Sequence, residues 1–179
     1  MHINSVKTSS ASNAGKPSRR RQRGDTMIEV LVTIIIIAVG VLGAAALQVT
    51  TLKNLSSSHS ASVAAIVAQD FAERMRANPD AALAGNYNHD TAPTTTTDCV
   101  ANPCATAALA DYDKETWWAQ VTAVLPSGSG EVARITAGVD IFELTVRWDE
   151  DRSGSTGVNC PTQSAADLEC FRLNITIPS

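Results

Sequence analysis

The chain has 179 residues and a formal net charge of −4, from 14 Lys and Arg against 18 Asp and Glu. That length holds one domain plus an anchor or tail, and an aromatic content of 4% leaves only a modest core. The charge is uneven: residues 1–24 carry Lys7, Lys16, Arg19, Arg20, Arg21 and Arg23 and no acid, so the remainder stands at −10. So acidic a remainder lacks the Lys and Arg that displace counterions from a phosphate backbone, which argues against generic nucleic-acid binding.

Residues 1–23 are polar, rich in Ser, Asn and Arg, and without helical periodicity, so disorder is expected there. Arg19-Arg20-Arg21-Gln22-Arg23 reads as the basic, cytoplasmic flank of a membrane helix rather than as a nucleic-acid arm. From Val30 to Leu47 eighteen residues carry no charge. A helix of that length, rising about 1.5 Å per residue, nearly spans a hydrocarbon core of about 30 Å. Ala44-Ala45-Ala46 could mimic a signal-peptidase site, but the apolar run is long for a secretory signal. Glu29 sits at the mouth of the run. An acid near a membrane helix's centre costs about 2.5–3.5 kcal/mol, less near its end, so an acid kept there calls for a partner.

Gly24 followed by Asp-Thr-Met-Ile-Glu-Val-Leu-Val, behind a basic leader and ahead of an apolar helix, resembles the type IV prepilin processing signal. The resemblance implies that a prepilin peptidase cuts after Gly24 and methylates the new terminus on Asp25. It also implies that Glu29 pairs with the amine of a neighbouring subunit during assembly. In that family the first mature residue is usually apolar; here it is Asp25.

Gly40 and Gly43 interrupt the apolar helix and read as a packing face or a soft spot. From Gln48 to Asn78 the chain has no Pro and no Gly. Leu52, Leu55, His59, Val63, Ile66, Val67, Phe71 and Met75 recur at three- and four-residue spacing, which predicts an amphipathic continuation. Asn78-Pro79 ends it. The expectation is one helix over 25–78, with its membrane part at about 30–47. His59 has no ligand partner at useful spacing and reads as partly buried packing.

Residues 79–106 read as a loop, with a low-complexity run at Thr94–Thr97. Cys99 and Cys104 close a small ring, and Cys160 and Cys170 form a second pair. Zinc is the alternative, but the spacing is wrong and no His is near. Disulfides suit an exported chain, and local pairing, 99 with 104 and 160 with 170, is the cheapest to close.

Ala107 to Leu125 predicts a second helix, capped by Asp111 or Asp113, with Trp117, Val121, Val124 and Leu125 on one face. Trp117 and Trp118 point about 100° apart, so one is core and one a rim. Ser-Gly-Ser-Gly reads as a turn. Strands are expected at Glu131–Val139, Ile141–Trp148 and Cys170–Ile177. Phe142, Leu144, Val146 and Trp148 share one face, and so do Phe171, Leu173, Ile175 and Ile177. Asp149, Asp151, Ser153 and Gly154 match half of a calcium loop, but Cys160 stands where the bidentate acid belongs, so a turn is the simpler reading. No nucleophile elbow is present, and the three histidines, His2, His59 and His89, are dispersed, so no enzyme and no cofactor are expected.

Asp-Tyr-Asp-Lys-Glu-Thr-Trp-Trp, Leu-Pro-Ser-Gly-Ser-Gly and Leu-Thr-Val-Arg-Trp-Asp-Glu-Asp-Arg resemble the PilV family of minor pilins, the type IV pilus modification proteins. The resemblance implies an α+β pilin fold: a long amino-terminal helix, half membrane and half amphipathic, on a small antiparallel sheet with a short second helix. It implies a leader over 1–24, the helix over 25–78 and a periplasmic head over 79–179. It further implies an inner-membrane subunit that moves into the filament, with other minor pilins, the major pilin, the prepilin peptidase and the assembly platform as partners. Its role would be priming assembly at the tip. A minor pseudopilin of type II secretion has the same architecture. An anchored adhesin or binding module is the reading from another class.

Overall fold

The computed structural model describes residues 26–94, 98–136 and 139–178. The basic leader, Gly24, Asp25 and most of the Thr94–Thr97 run lie outside the described residues. The chain forms two compact units, residues 1–46 and 47–179.

Helix α1, Met27–Ala77, has 51 residues and contributes to both units. In the first unit its side chains are exposed throughout, with Ile34, Ile35, Ile36 and Ile37 each more than half accessible. This stretch is long and apolar enough to cross a membrane. Glu29 in the first turn also suits the positive end of the helix dipole.

In the second unit α1 buries Ala64, Val67, Ala68, Phe71, Ala72 and Met75. The expected stripe is therefore correct at Val63, which packs on the core, and at Val67, Phe71 and Met75, and misplaced at Leu52, Leu55, His59 and Ile66. Leu52, Leu55 and Ile66 are 64%, 66% and 63% exposed, and His59 is exposed rather than packed. At 100° per residue Ile66 lies about 140° from Phe71. The sequence thus merges two apolar faces, of which one is buried in the core against Trp117.

Pro79 opens a separate short helix, α2, Pro79–Leu83, where a loop was expected. Proline lacks the N–H that the first helical position would leave unpaired, so it starts this helix while ending the previous one. Helix α3 is Thr106–Val124. Its cap position is Ala105, which gives no side-chain bond. Asp111 and Asp113 lie inside the helix and cap nothing, and Val124 is 49% exposed, off the buried face.

The sheet has three antiparallel strands in the order β1-β2-β3. They are β1, Ser129–Arg134; β2, Ile141–Trp148; and β3, Glu169–Thr176. Ser129 and Gly130, expected in a turn, pair with Arg147 and Val146 instead. The turn falls earlier, at Pro126 and Ser127. β1 also ends sooner than expected, and Ile135 and Val139 are exposed in the turn to β2. The register stacks Val132 on Leu144 and Leu144 on Leu173. Phe142, Leu144, Val146 and Trp148 are all buried, as period two requires. Across the strands Arg147 pairs with Glu131 at 2.8 Å and Arg172 with Glu143 at 3.3 Å.

Candidate assembly site and the frame that carries it

Glu29 is exposed, and its backbone N–H bonds the Thr26 carbonyl at 2.8 Å. Among the described residues no ion pair reaches its carboxylate. Around it Met27, Ile28 and Leu31 are open, at 87%, 70% and 59%. An acid within an uncovered apolar surface is poised to pair with a cation if that surface becomes covered. In the low dielectric that covering creates, the pair is far stronger than in water.

The second unit shows how α1 is gripped. Trp117 from α3 is fully buried and stacks on Phe71, ring centroids 4.3 Å apart. Its indole N–H donates to the Val67 carbonyl at 2.9 Å, which satisfies the one polar atom of a core tryptophan. Trp118 is half-buried. Beside the tryptophan lies a buried polar network. The Tyr87 hydroxyl donates to Asp113 Oδ2 at 2.7 Å. Asn78 Nδ2 donates to Tyr87 Oη at 3.2 Å and to the Thr106 carbonyl at 2.8 Å. Arg74 reaches Asp113 Oδ1 at 3.4 Å and Asp70 at 3.0 Å. Burial, reinforced by Asp113, pushes the Tyr87 phenol well above its ordinary range. Burial works against the Arg74 charge, but Asp70 and Asp113 outweigh it and raise its pKa. The sequence reading missed this network because its members come from α1, α3 and the segments between them.

A second grip lies further down α1. Glu150, just past β2, accepts from Ser56 Oγ at 3.0 Å and from Trp148 Nε1 at 2.8 Å. Burial disfavours its charge, but Ser60, Trp148, Ser56 and nearby His59 together hold the carboxyl below its ordinary range.

The long β2–β3 connection is pinned by two buried acids. Asp149 accepts from Ser153 N–H and Oγ–H, and from Gly154 N–H at 2.8 Å. Asp167 accepts from the N–H groups of Gln163 and Ser164 and from Asn159. Burial opposes both charges, but these donors hold both carboxyls low. Asp149 is thus occupied in a turn rather than free as a calcium ligand. No cluster of His, Cys, Asp and Glu suited to a metal occurs among the described residues. The structure contains disulfides Cys99–Cys104 and Cys160–Cys170. Asp98 caps the first ring through the N–H groups of Val100 and Ala101.

Residues 46–115 match the family model described as Type IV pilin Tt1218. Residues 19–45 match the prokaryotic N-terminal methylation motif. No curated protein and no solved structure matches the chain significantly. The methylation motif implies processing by a prepilin peptidase, and the pilin match implies other pilins as partners and a structural rather than an enzymatic part. An apolar helix bearing one acid at its mouth, a three-stranded antiparallel sheet and a short helix are consistent with the type IV pilin fold, and the two matches, over residues 46–115 and 19–45, support that likeness.

Proposed function

We propose that this chain is a minor pilin, and that it helps to prime the filament from the tip. It is held in the inner membrane by residues of about 30–47, with residues 79–179 in the periplasm. The prepilin peptidase cuts after Gly24 and methylates Asp25. The chain then joins other minor pilins and the major pilin at the assembly platform. The observation that carries this reading is Glu29, an acid with no ion pair among the described residues, in the first turn of a helix whose apolar side chains over residues 27–47 are all exposed. Each large aliphatic side chain taken out of water is worth about 1.5–3 kcal/mol. Lipid covers that surface before assembly and other helices cover it afterwards. Lipid offers Glu29 no cation, whereas a neighbouring subunit's amino terminus does. The minor role and the tip position are supported by the head segments that resemble the PilV family.

Glu29→Ala tests the reading. The variant is expected in the inner membrane at the parental level and absent from sheared filaments. Normal recovery in sheared filaments would refute it. Loss of twitching on deletion, with secretion intact, separates the pilus from a type II secretion machine.

A further inference from the structure

The segment between α2 and α3 pairs with the sheet at one residue. His89 N–H donates to the Val132 carbonyl at 3.0 Å, and Val132 N–H donates to the His89 carbonyl at 2.8 Å. Val132 faces Leu144 across β1–β2, but in an antiparallel ladder alternate residues turn their backbone groups outward. His89 therefore covers groups that an edge strand would otherwise present for pairing.

The imidazole is set among three aromatic rings. Its centroid is 5.9 Å from Phe71, 5.5 Å from Trp117 and 6.3 Å from Trp118. Nδ1 lies 2.9 Å from the Tyr87 carbonyl, which can only accept, so Nδ1 carries the proton. Nε2 is then the acceptor nitrogen. It is buried and has no hydrogen-bond partner among the described residues. A second proton would have to sit there without an acceptor.

The charged groups around the ring divide. Lys114 on α3 opposes a positive imidazole, while Asp90 on the same segment and Glu131 on β1 favour one. Asp111 with Lys114, and Glu131 with Arg134, line the grooves on its two flanks. Burial outweighs the acids and holds the imidazole below its ordinary range.

We propose that His89 is a proton-operated latch on the outer edge of β1. Neutral, it stays in the aromatic slot and keeps its segment paired with Val132. Protonated, it leaves the slot, the two backbone bonds open, and the edge becomes available for another strand.

Hydrogen–deuterium exchange on the full chain in detergent micelles tests it, at about pH 7.5 and about pH 5, on either side of the ordinary histidine range. Rates are converted to protection factors to remove the intrinsic pH dependence. Protection in segments 84–94 and 129–134 is expected to fall severalfold at the lower pH, since each unit by which a site disfavours a proton is worth a factor of ten. Protection in β2 and β3 is expected to stay. His89→Asn, which keeps a donor near Nδ1 and cannot titrate, is expected to abolish the difference. If that variant does not fold, His89→Gln replaces it. Equal protection at both pH values, equal loss in the variant, or simultaneous loss in β2 and β3 would each overturn the latch.

Discussion

Trp117 dictates its neighbours. Gly130 lies on β1 against the indole ring, so that a Cβ there would overlap the ring's benzo edge. A glycine in a strand interior costs stability, and here the requirement is room rather than a turn. Gly130→Ala is expected to destabilise the second unit by about 1–3 kcal/mol, the usual cost of overpacking. Chemical denaturation of the detergent-solubilised chain measures it. Gly40→Ala serves as the control, since no atom lies within 4 Å of its missing Cβ.

The titratable residues give a second prediction at the same scale. His89, Glu150, Asp149 and Asp167 all have folded pKa values below their unfolded ones. The unfolded chain binds more protons than the folded one in those ranges, so stability falls as pH drops. The His89 contribution fades from about pH 6.5 downward, and the carboxylate contributions fade from about pH 4 downward. Tyr87 works in the other direction. Its pKa is raised, so its contribution is complete below about pH 10 and is lost as pH rises. Tyr87→Phe is expected to remove the alkaline step. It is also expected to cost about 1–3 kcal/mol at neutral pH, because Asp113 loses a buried donor. A pH series of unfolding midpoints for the parent, His89→Asn and Tyr87→Phe reads out both steps.

At the scale of elements, the long β2–β3 connection is held by Asp149, Asp167 and the Cys160–Cys170 bridge. Replacing both cysteines by serine is expected to lower stability by about 2–4 kcal/mol. The same series of denaturation curves checks this. β2 and β3 were legible in the sequence because their alternation is strict and one face is buried. The course of α1 was legible because nothing breaks it before Asn78-Pro79. Its phase was legible at Val63, Val67, Phe71 and Met75 but not at Leu52, Leu55, His59 and Ile66. Half of the buried positions on α1 are Ala64, Ala68 and Ala72, small residues that allow close approach and carry little hydrophobic signal. The louder Leu52, Leu55 and Ile66 point elsewhere. The site divides in the same way. Glu29 stood out as one acid against an apolar run. The partners of Asp113 could not be found, because Tyr87, Asn78 and Arg74 approach it only after α2 and α3 are placed. Motif segments in the head turn out to contain framework residues: Asp113 in the polar network, Trp117 in the core, Gly130 beneath it and Asp149 in its turn.

For the whole molecule, what is covered and what is open define the function. The second unit satisfies its core tryptophan and its buried acids internally, whereas the apolar part of α1 satisfies nothing by itself. A chain arranged in this way completes its burial in lipid or among other helices. On the proposed function, the step that commits it to the filament is release of the basic leader, which would create the cation that pairs with Glu29. The intact mass and amino terminus of the protein, isolated from the membranes of its own host, test this most directly. The expected result is a chain beginning at Asp25 and heavier by one methyl group than the trimmed sequence. A chain that keeps its leader would contradict it, and Glu29 would then be an acid in an anchor with no part in assembly.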